Sequence, residues 1–144
     1  MKFLYPVNLA ADEDEGGFVV TFPDFGWGVT QGETEDEALA NAADCLETMV
    51  ASCIEDKEDV PAPSALKGRP GVALSGRMAA KAALHTALRE SGLRPADLAR
   101  RLGHGEHIQV RRLLDPRHRS APEALERALR ALGKYLVVEV KDAA

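Results

Sequence analysis

"GGFVVTFPDFGWGVTQGETEDEALANA" (residues 16–42) decides how the first half of this 144-residue chain folds. "FVVTF" (18–22) is β-branched and aromatic and reads as a strand. "PDFGWG" (23–28) turns the chain into a short further strand, "VTQ" (29–31). Thr34 followed by Glu37 is a Thr-x-x-Glu capping box that opens a helix. Glu35, Asp36 and Glu37 then fall in its first turn, where negative charge complements the helix dipole. Ala38, Leu39, Ala42, Leu46, Met49, Val50, Cys53 and Ile54 recur at helical spacing, so the pattern predicts an amphipathic helix over 35–56 packed across the sheet.

Upstream, Phe3, Tyr5, Val7 and Leu9 alternate along "KFLYPVNLA", the period of a half-buried strand. Pro6 lacks an N–H, so that strand belongs at an edge or carries a bulge. "ADEDEGG" (11–17) is a polar turn joining it to "FVVTF" as a hairpin. Downstream, "EDVPAPSALKGRPG" (58–71) has three prolines and no periodicity and reads as a linker. "VALS" (72–75) returns to the first sheet as a fourth strand. The expectation is an α+β unit over residues 1–76, including a linker at 57–70, with element order βββαβ.

From Arg77 the pattern is helical. "RMAAKAALHTALRESG" ends at Gly92, a natural C-cap. "LRPADLARRLG" opens with Pro95 and ends at Gly103. "HIQVRRLLD" stops at Asp115-Pro116. "SAPEALERALRALG" has Ser120 as its expected N-cap, Glu123 three residues on and Gly133 to close. The tail "KYLVVEV" (134–140) reads as a strand. A lone strand leaves its backbone groups unpaired, and pairing with its own copy across a two-fold axis satisfies them, through Tyr135, Val137, Val138 and Val140.

The formal net charge of −5 conceals a division. Residues 1–76 carry 4 Lys+Arg against 15 Asp+Glu, whereas residues 77–144 carry 14 against 8 and hold all four histidines. An acidic half repels nucleic acid and a basic half attracts it, so two surfaces with two partners are expected. No apolar run is long enough to span a bilayer, and the N-terminus lacks signal-peptide features, which reads as a cytoplasmic protein. Cys45 and Cys53 lie about 12 Å apart along a helix, too far to bridge, and read as buried, reduced thiols.

"PADLARRLG" followed by "HIQVRRLL" has the shape of a helix-turn-helix. Ala99 is small where two helices cross, Gly103 permits the reversal, and Leu98, Leu102, Val110 and Leu113 supply a shared core. The second helix would then enter a major groove with His107, Gln109 and Arg111 forward, Gln pairing with adenine and Arg with guanine. Arg112, Arg117, His118 and Arg119 are the expected phosphate contacts. In the usual spacing the second helix's apolar position falls on Gln109. Val110 lies one residue further, so "GHGEH" holds an extra residue and the frame is open by one.

Catalysis finds little footing. The acids Asp12, Glu13, Asp14 and Glu15, with Asp24, suggest a metal-binding nuclease cluster, but two-metal chemistry needs carboxylates converging from separate elements. A run of four in a hairpin turn splays into water. No serine sits in a nucleophile elbow, neither cysteine has a histidine close in sequence, and His85, His104, His107 and His118 lack metal-ligand spacing. The reading is no enzyme, no metal and no cofactor. Trp27, the single tryptophan, is either a plug in the small core or an anchor in a protein interface.

Residues 16–42 resemble the signature of HicB-type antitoxins, Gly-Phe-x-Val-x-Phe-Pro-Asp, a short loop, Gly-(Asp/Glu)-Thr and a Glu-Ala-rich helix. "VPAPS" (60–64) is similar to the proline-bearing stretch after that helix. Residues 79–103 and 111–140 resemble the C-terminal helix-turn-helix region of one HicB subclass. "FGWG" replaces the usual Leu-Pro-Gly-Cys type of turn, and "GHGEH" is a second departure. The resemblance implies a partial RNase H-like fold without nuclease activity in residues 1–76. That unit would block a small basic RNA-cleaving toxin of the HicA type, contacting it through Asp24, Phe25 and Trp27, with the acids at 12–15 steering. Residues 77–144 would dimerise and bind operator DNA to repress the chain's own operon. A transcriptional regulator with an N-terminal small-ligand-sensing domain is the alternative.

Overall fold

The computed structural model describes residues 1–103 and 105–143, so His104 lies outside the described residues. The alternating N-terminal segment forms two strands, β1 (Leu4–Pro6) and β2 (Asn8–Ala11), where the sequence suggests one. The break is at Val7, beside Pro6. Val7 is fully buried, and its N–H continues the β1–β5 register one step further, donating to Pro70 O at 3.0 Å. Pro6 stands opposite Gly71, where its missing N–H costs this ladder nothing, and from Asn8 the chain pairs with β3 in a second sheet.

β2 pairs with β3 (Phe18–Thr21), and β3 with β4 (Val29–Gly32), as an antiparallel meander. β5 (Gly71–Ala73) does return, but it pairs with β1 in a separate two-stranded sheet, with Tyr5 opposite Val72. Across the meander, Leu9, Val20 and Thr30 stand in register on the face that carries the fully buried Val20.

Helix α1 (Glu35–Glu55) lies across β4 and β3. Thr34 Oγ1 accepts from Glu37 N–H, as the capping pattern predicts. Ala38, Ala42, Leu46 and Val50 are wholly buried along its inner stripe. Burying one such Leu or Val side chain is worth about 1.5–3 kcal/mol. The approach to β4 is so close that a Cβ on Gly32 would overlap the backbone of Ala38.

Four helices follow, α2 (Gly76–Ser91), α3 (Pro95–Leu102), α4 (His107–Leu114) and α5 (Pro122–Ala131). Gly92 closes α2 with φ 71° in the left-handed region. A second core gathers Leu84, Leu88, Leu98, Leu102, Val110, Leu113, Leu125 and Leu129. Helix α2 serves both cores, since Met78 and Ala82 belong to the first and Ala80 and Leu84 to the second.

Two local expectations are corrected. Ala121, not Ser120, is the N-cap of α5, because the Ser120 hydroxyl is engaged by Lys81. Residues 134–140 form no strand within the chain, and Tyr135, Val137, Val138 and Val140 are 80% exposed or more. Leu136 alone of that segment packs against the second core. The physical reason is the one that made the segment conspicuous: a strand needs a neighbour, and the described part of this chain supplies none.

Candidate functional site

The loop after β3 builds an aromatic path from core to surface. Tyr5 is buried, and its ring centroid stands 5.2 Å from that of Phe25. Phe25 meets Phe22 and then Trp27 edge-on at 6.3 and 6.2 Å. Trp27 itself is 51% exposed, so it is not a plug for the core. Gly28, at φ +89°, backs this turn against Met49, where a side chain would overlap the thioether.

Asp24 has a structural duty. Its Oδ2 accepts from Ser64 N–H at 2.9 Å, and Tyr5 Oη donates to Pro61 O at 2.6 Å. These two bonds fasten the proline-bearing segment over the aromatic loop. Burial, with Asp24 and Cys53 adding to it, pushes the Tyr5 phenol far up, so it stays a donor. The thiols of Cys45 and Cys53 are likewise pushed up by burial and remain free; Cys53 is buried, Cys45 only half-buried.

The acids at 12–15 do not join Trp27. They occupy the β2–β3 turn, at the opposite end of the four-residue β3 from the aromatic loop, roughly 13 Å along the strand. Asp12 organises its own turn, Oδ1 accepting from the backbone of Asp14 and Glu15. Gly17 lies against Gly32 and Glu33, so the acidic turn runs on to the acidic first turn of α1. Among the described residues no group of three or more His, Cys, Asp or Glu side chains is arranged to hold a metal ion. No described helix is long and apolar enough to cross a membrane.

In the basic half, α3 and α4 pack together through Leu98, Ala99, Leu102, Val110 and Leu113, all buried. Val110 is turned inward at 1% exposure, while Gln109 is exposed. Gly103, at φ 123°, makes the reversal. Arg127 holds that turn from α5, donating to Leu102 O and pairing with Glu106 at 3.3 Å.

The outer surface of α4 carries His107, Gln109, Arg111 and Arg112, all exposed. Ile108, 60% exposed among them, is a residue to which the sequence reading assigns no role. Arg119 is exposed and His118 half-buried, its Nδ1 3.2 Å from Ser120 Oγ. Arg117 is not unpaired as expected of a phosphate contact: it forms an ion pair with Glu55 of α1, Nε to Oε1 2.5 Å.

Several basic side chains bond the chain's own carbonyls. Arg77, Lys81, His85 and Arg89 follow one another at four-residue intervals along α2, an inclined row on the helix. Arg77 reaches Pro116 O at 3.4 Å, His85 Nε2 sits 2.7 Å from Glu58 O, and Arg89 donates to Lys57 O and to Asp59. Lys81 is 2% exposed and donates to Arg112 O, Asp115 O and Ser120 Oγ. Burial pulls its ammonium down to about 8; Asp115 opposes that shift and Arg77 adds to it. Burial also holds the His85 imidazole below its usual range. The four-residue spacing was present in the sequence, but nothing there showed that Lys81 and His85 are buried while Arg77 and Arg89 stay exposed.

A protein-family model described as the HicB_like antitoxin of bacterial toxin-antitoxin systems matches residues 4–88. A curated relative, "Antitoxin HicB 2" of Photorhabdus laumondii, is 36% identical over 92% of both chains. "Antitoxin HicB" of Escherichia coli is 36% identical over 92% of this chain and 95% of its own. "Antitoxin HicB" of Pseudomonas fluorescens is 39% identical over 78% of this chain and 77% of its own. A solved "Toxin-Antitoxin complex from Streptococcus pneumoniae" includes a chain 35% identical, covering 47% of this chain and 48% of that one, at a TM-score of 0.43. Matched by the family model over more than half its length, and by full-length relatives over nearly all of it, the chain belongs to the HicB-like antitoxins.

Proposed function

We propose that this antitoxin neutralises a small basic RNA-cleaving toxin of the HicA type with its first half, and represses its own operon by binding operator DNA with its second. The observation that carries the reading is the division of charge between two separately cored parts, 4 basic against 15 acidic residues before position 77 and 14 against 8 after it. An acidic face presents to a basic toxin the charge that its RNA substrate presents. Trp27 at the end of its aromatic path is the anchor, with Phe25 behind it, Asp24 shaping the loop, and Asp12, Glu13, Asp14 and Glu15 steering the approach.

In this reading α3 and α4 are a helix-turn-helix whose second helix enters the major groove with His107, Gln109 and Arg111 toward bases. Arg112, His118 and Arg119 contact phosphates, and Arg117 does so once released from Glu55. The meander covered by α1 is a partial RNase H-like fold without nuclease activity. Its unit spans 1–76, and the DNA-binding and dimerising unit 77–144. Residues 134–140 pair with a second copy in a cytoplasmic homodimer, setting the two recognition helices about one DNA turn, roughly 34 Å, apart. A regulator sensing a small ligand is less favoured, since the first core is filled by Val7, Val20, Ala38, Ala42, Leu46 and Val50 at no exposure.

The test uses the full chain. Affinity capture from the native host, with mass spectrometry, is expected to retain a small basic protein near stoichiometry. The same chain is expected to shift the duplex immediately upstream of its own gene. Promoter binding with no retained protein would overturn the antitoxin half of the reading; a retained toxin without promoter binding would overturn the repressor half.

A further inference from the structure

A lysine ammonium is costly to bury unless each of its three protons finds an acceptor. Lys81 meets that condition, with acceptors at 2.9, 2.9 and 2.8 Å and 2% exposure. Two acceptors, Arg112 O and Asp115 O, are carbonyls at the C-terminal end of α4, where the helix dipole is negative. The third, Ser120 Oγ, stands immediately before the N-cap of α5. One nitrogen on α2 therefore joins the end of α4 to the start of α5, and the segment it brackets carries Arg117, His118 and Arg119.

The rest of that segment is built around the same point. Arg77, one turn before Lys81, reaches Pro116 O, and Pro116 is buried. Arg117 N–H donates to Asp115 Oδ1 at 2.9 Å, and His118 approaches the Ser120 hydroxyl that Lys81 already holds. Without the ammonium, two carbonyls and a hydroxyl would lose their shared donor. The bond from Ser120 Oγ to Arg112 O, at 3.4 Å, would then be the direct tie left between the end of α4 and Ser120, beside the segment's own backbone bonds and Arg77 on Pro116 O.

We propose that Lys81 is a positioning residue for nucleic-acid binding: from α2 it fixes the C-terminal end of α4 and the shape of the 115–120 segment, and so aims the basic side chains of that segment at the phosphate backbone. The inference rests on the operator-binding reading above. Lys81 touches no ligand and acts through the residues it holds. It is distinct from the capping lysines of exposed helix ends, because its ammonium is enclosed and joins three helices.

The experiment measures binding of the full chain to the labelled duplex upstream of its own gene, across a series of salt concentrations. Wild type, Lys81→Met and Ser120→Ala are compared at a temperature where circular dichroism shows each fully folded. Each phosphate contact contributes a slope of about 0.9 in log affinity against log salt. Lys81→Met is expected to flatten the slope by about one to two and weaken binding roughly ten- to a hundredfold at moderate salt. Ser120→Ala, which removes one of the three acceptors, is expected to give a smaller loss of the same kind. Unchanged slopes in the folded variants would overturn the positioning role and leave operator binding standing. No binding by wild type would overturn the operator reading and this inference with it. If Lys81→Met does not fold, Ser120→Ala decides, with an unchanged slope counting against the proposal.

Discussion

Arg117 Nε lies 2.5 Å from Glu55 Oε1, so a loop of the basic half is held to the last turn of the acidic helix α1. Both side chains remain partly in water, which makes the pair easy to break and sensitive to salt. Its effect falls on availability: a guanidinium facing a carboxylate is not facing a phosphate. Glu55→Gln is therefore expected to raise affinity for operator DNA by roughly three- to tenfold at low salt, with the gain shrinking as salt rises. Fluorescence anisotropy on wild type and variant reads this directly, and thermal melting should barely move. Equal affinities at low salt would show that Arg117 plays no part in binding.

Trp27 and Phe25 separate binding from folding. Trp27 is half-exposed, whereas Phe25 touches Tyr5, Phe22 and Trp27. Trp27→Ala is expected to weaken the toxin complex about thirtyfold or more while leaving the urea midpoint nearly unchanged. Phe25→Ala is expected to cost about 2 kcal/mol of stability. Calorimetric titration and urea unfolding on both variants distinguish the roles.

Gly32 has no room for a side chain. A Cβ there would overlap the Ala38 nitrogen and Cα, and backbone cannot swing aside as a side chain can. Gly32→Ala is expected to destabilise the chain by about 1–3 kcal/mol through displacement of α1 from β4. A urea midpoint equal to wild type would contradict the close approach.

His85 gives stability a pH dependence of known sign. Burial lowers its folded pKa, while the unfolded imidazole takes its proton near pH 6.5. As pH falls below about 6.5, the unfolded chain binds the proton first, so stability is lost with acidification. The slope from this one group is at most about 1.4 kcal/mol per pH unit. Glu58 O, Arg89 and Asp59 face the ring and stay in place in His85→Gln, which is expected to remove that component from the pH series of denaturant midpoints.

The exposed tail is tested by backbone chemistry. Val138 is 82% exposed in the single chain. Val138→Pro deletes an N–H that pairing with a second copy needs. Light scattering on the full chain is expected to show a dimer for wild type and a monomer for the variant. A dimer in both would place the interface elsewhere.

Much of the fold was legible because its signals are local. The Thr34 cap, the period of α1, the Gly92 stop and the hairpin acids each declare themselves within a few residues. The break at Val7 was not legible, because alternation runs unbroken through Pro6 and only pairing with two different neighbours separates β1 from β2. At the candidate surfaces the sequence named Trp27 and the outer side chains of α4, which the structure leaves exposed. It misplaced the α5 cap at Ser120 and gave no sign of the bonds Asp24 and Arg117 make, because the partners Lys81, Ser64 and Glu55 are distant in sequence. It gave no role to Ile108, an isoleucine whose exposure shows only once α4 is oriented.

Helix α2 also bears on the order in which the chain is made. Its Met78 and Ala82 complete the first core, and Val72 must first pair β5 with β1 opposite Tyr5. Domains of a nascent chain close as units, N-terminal first, at about 5–20 residues per second. Here the first core is complete only once β5 and then the first two turns of α2 have followed α1 out of the ribosome. A translation stop between residues 56 and 82 would leave an acidic fragment lacking one or more of Val72, Leu74, Met78 and Ala82 from its core, more open to proteolysis than the finished half.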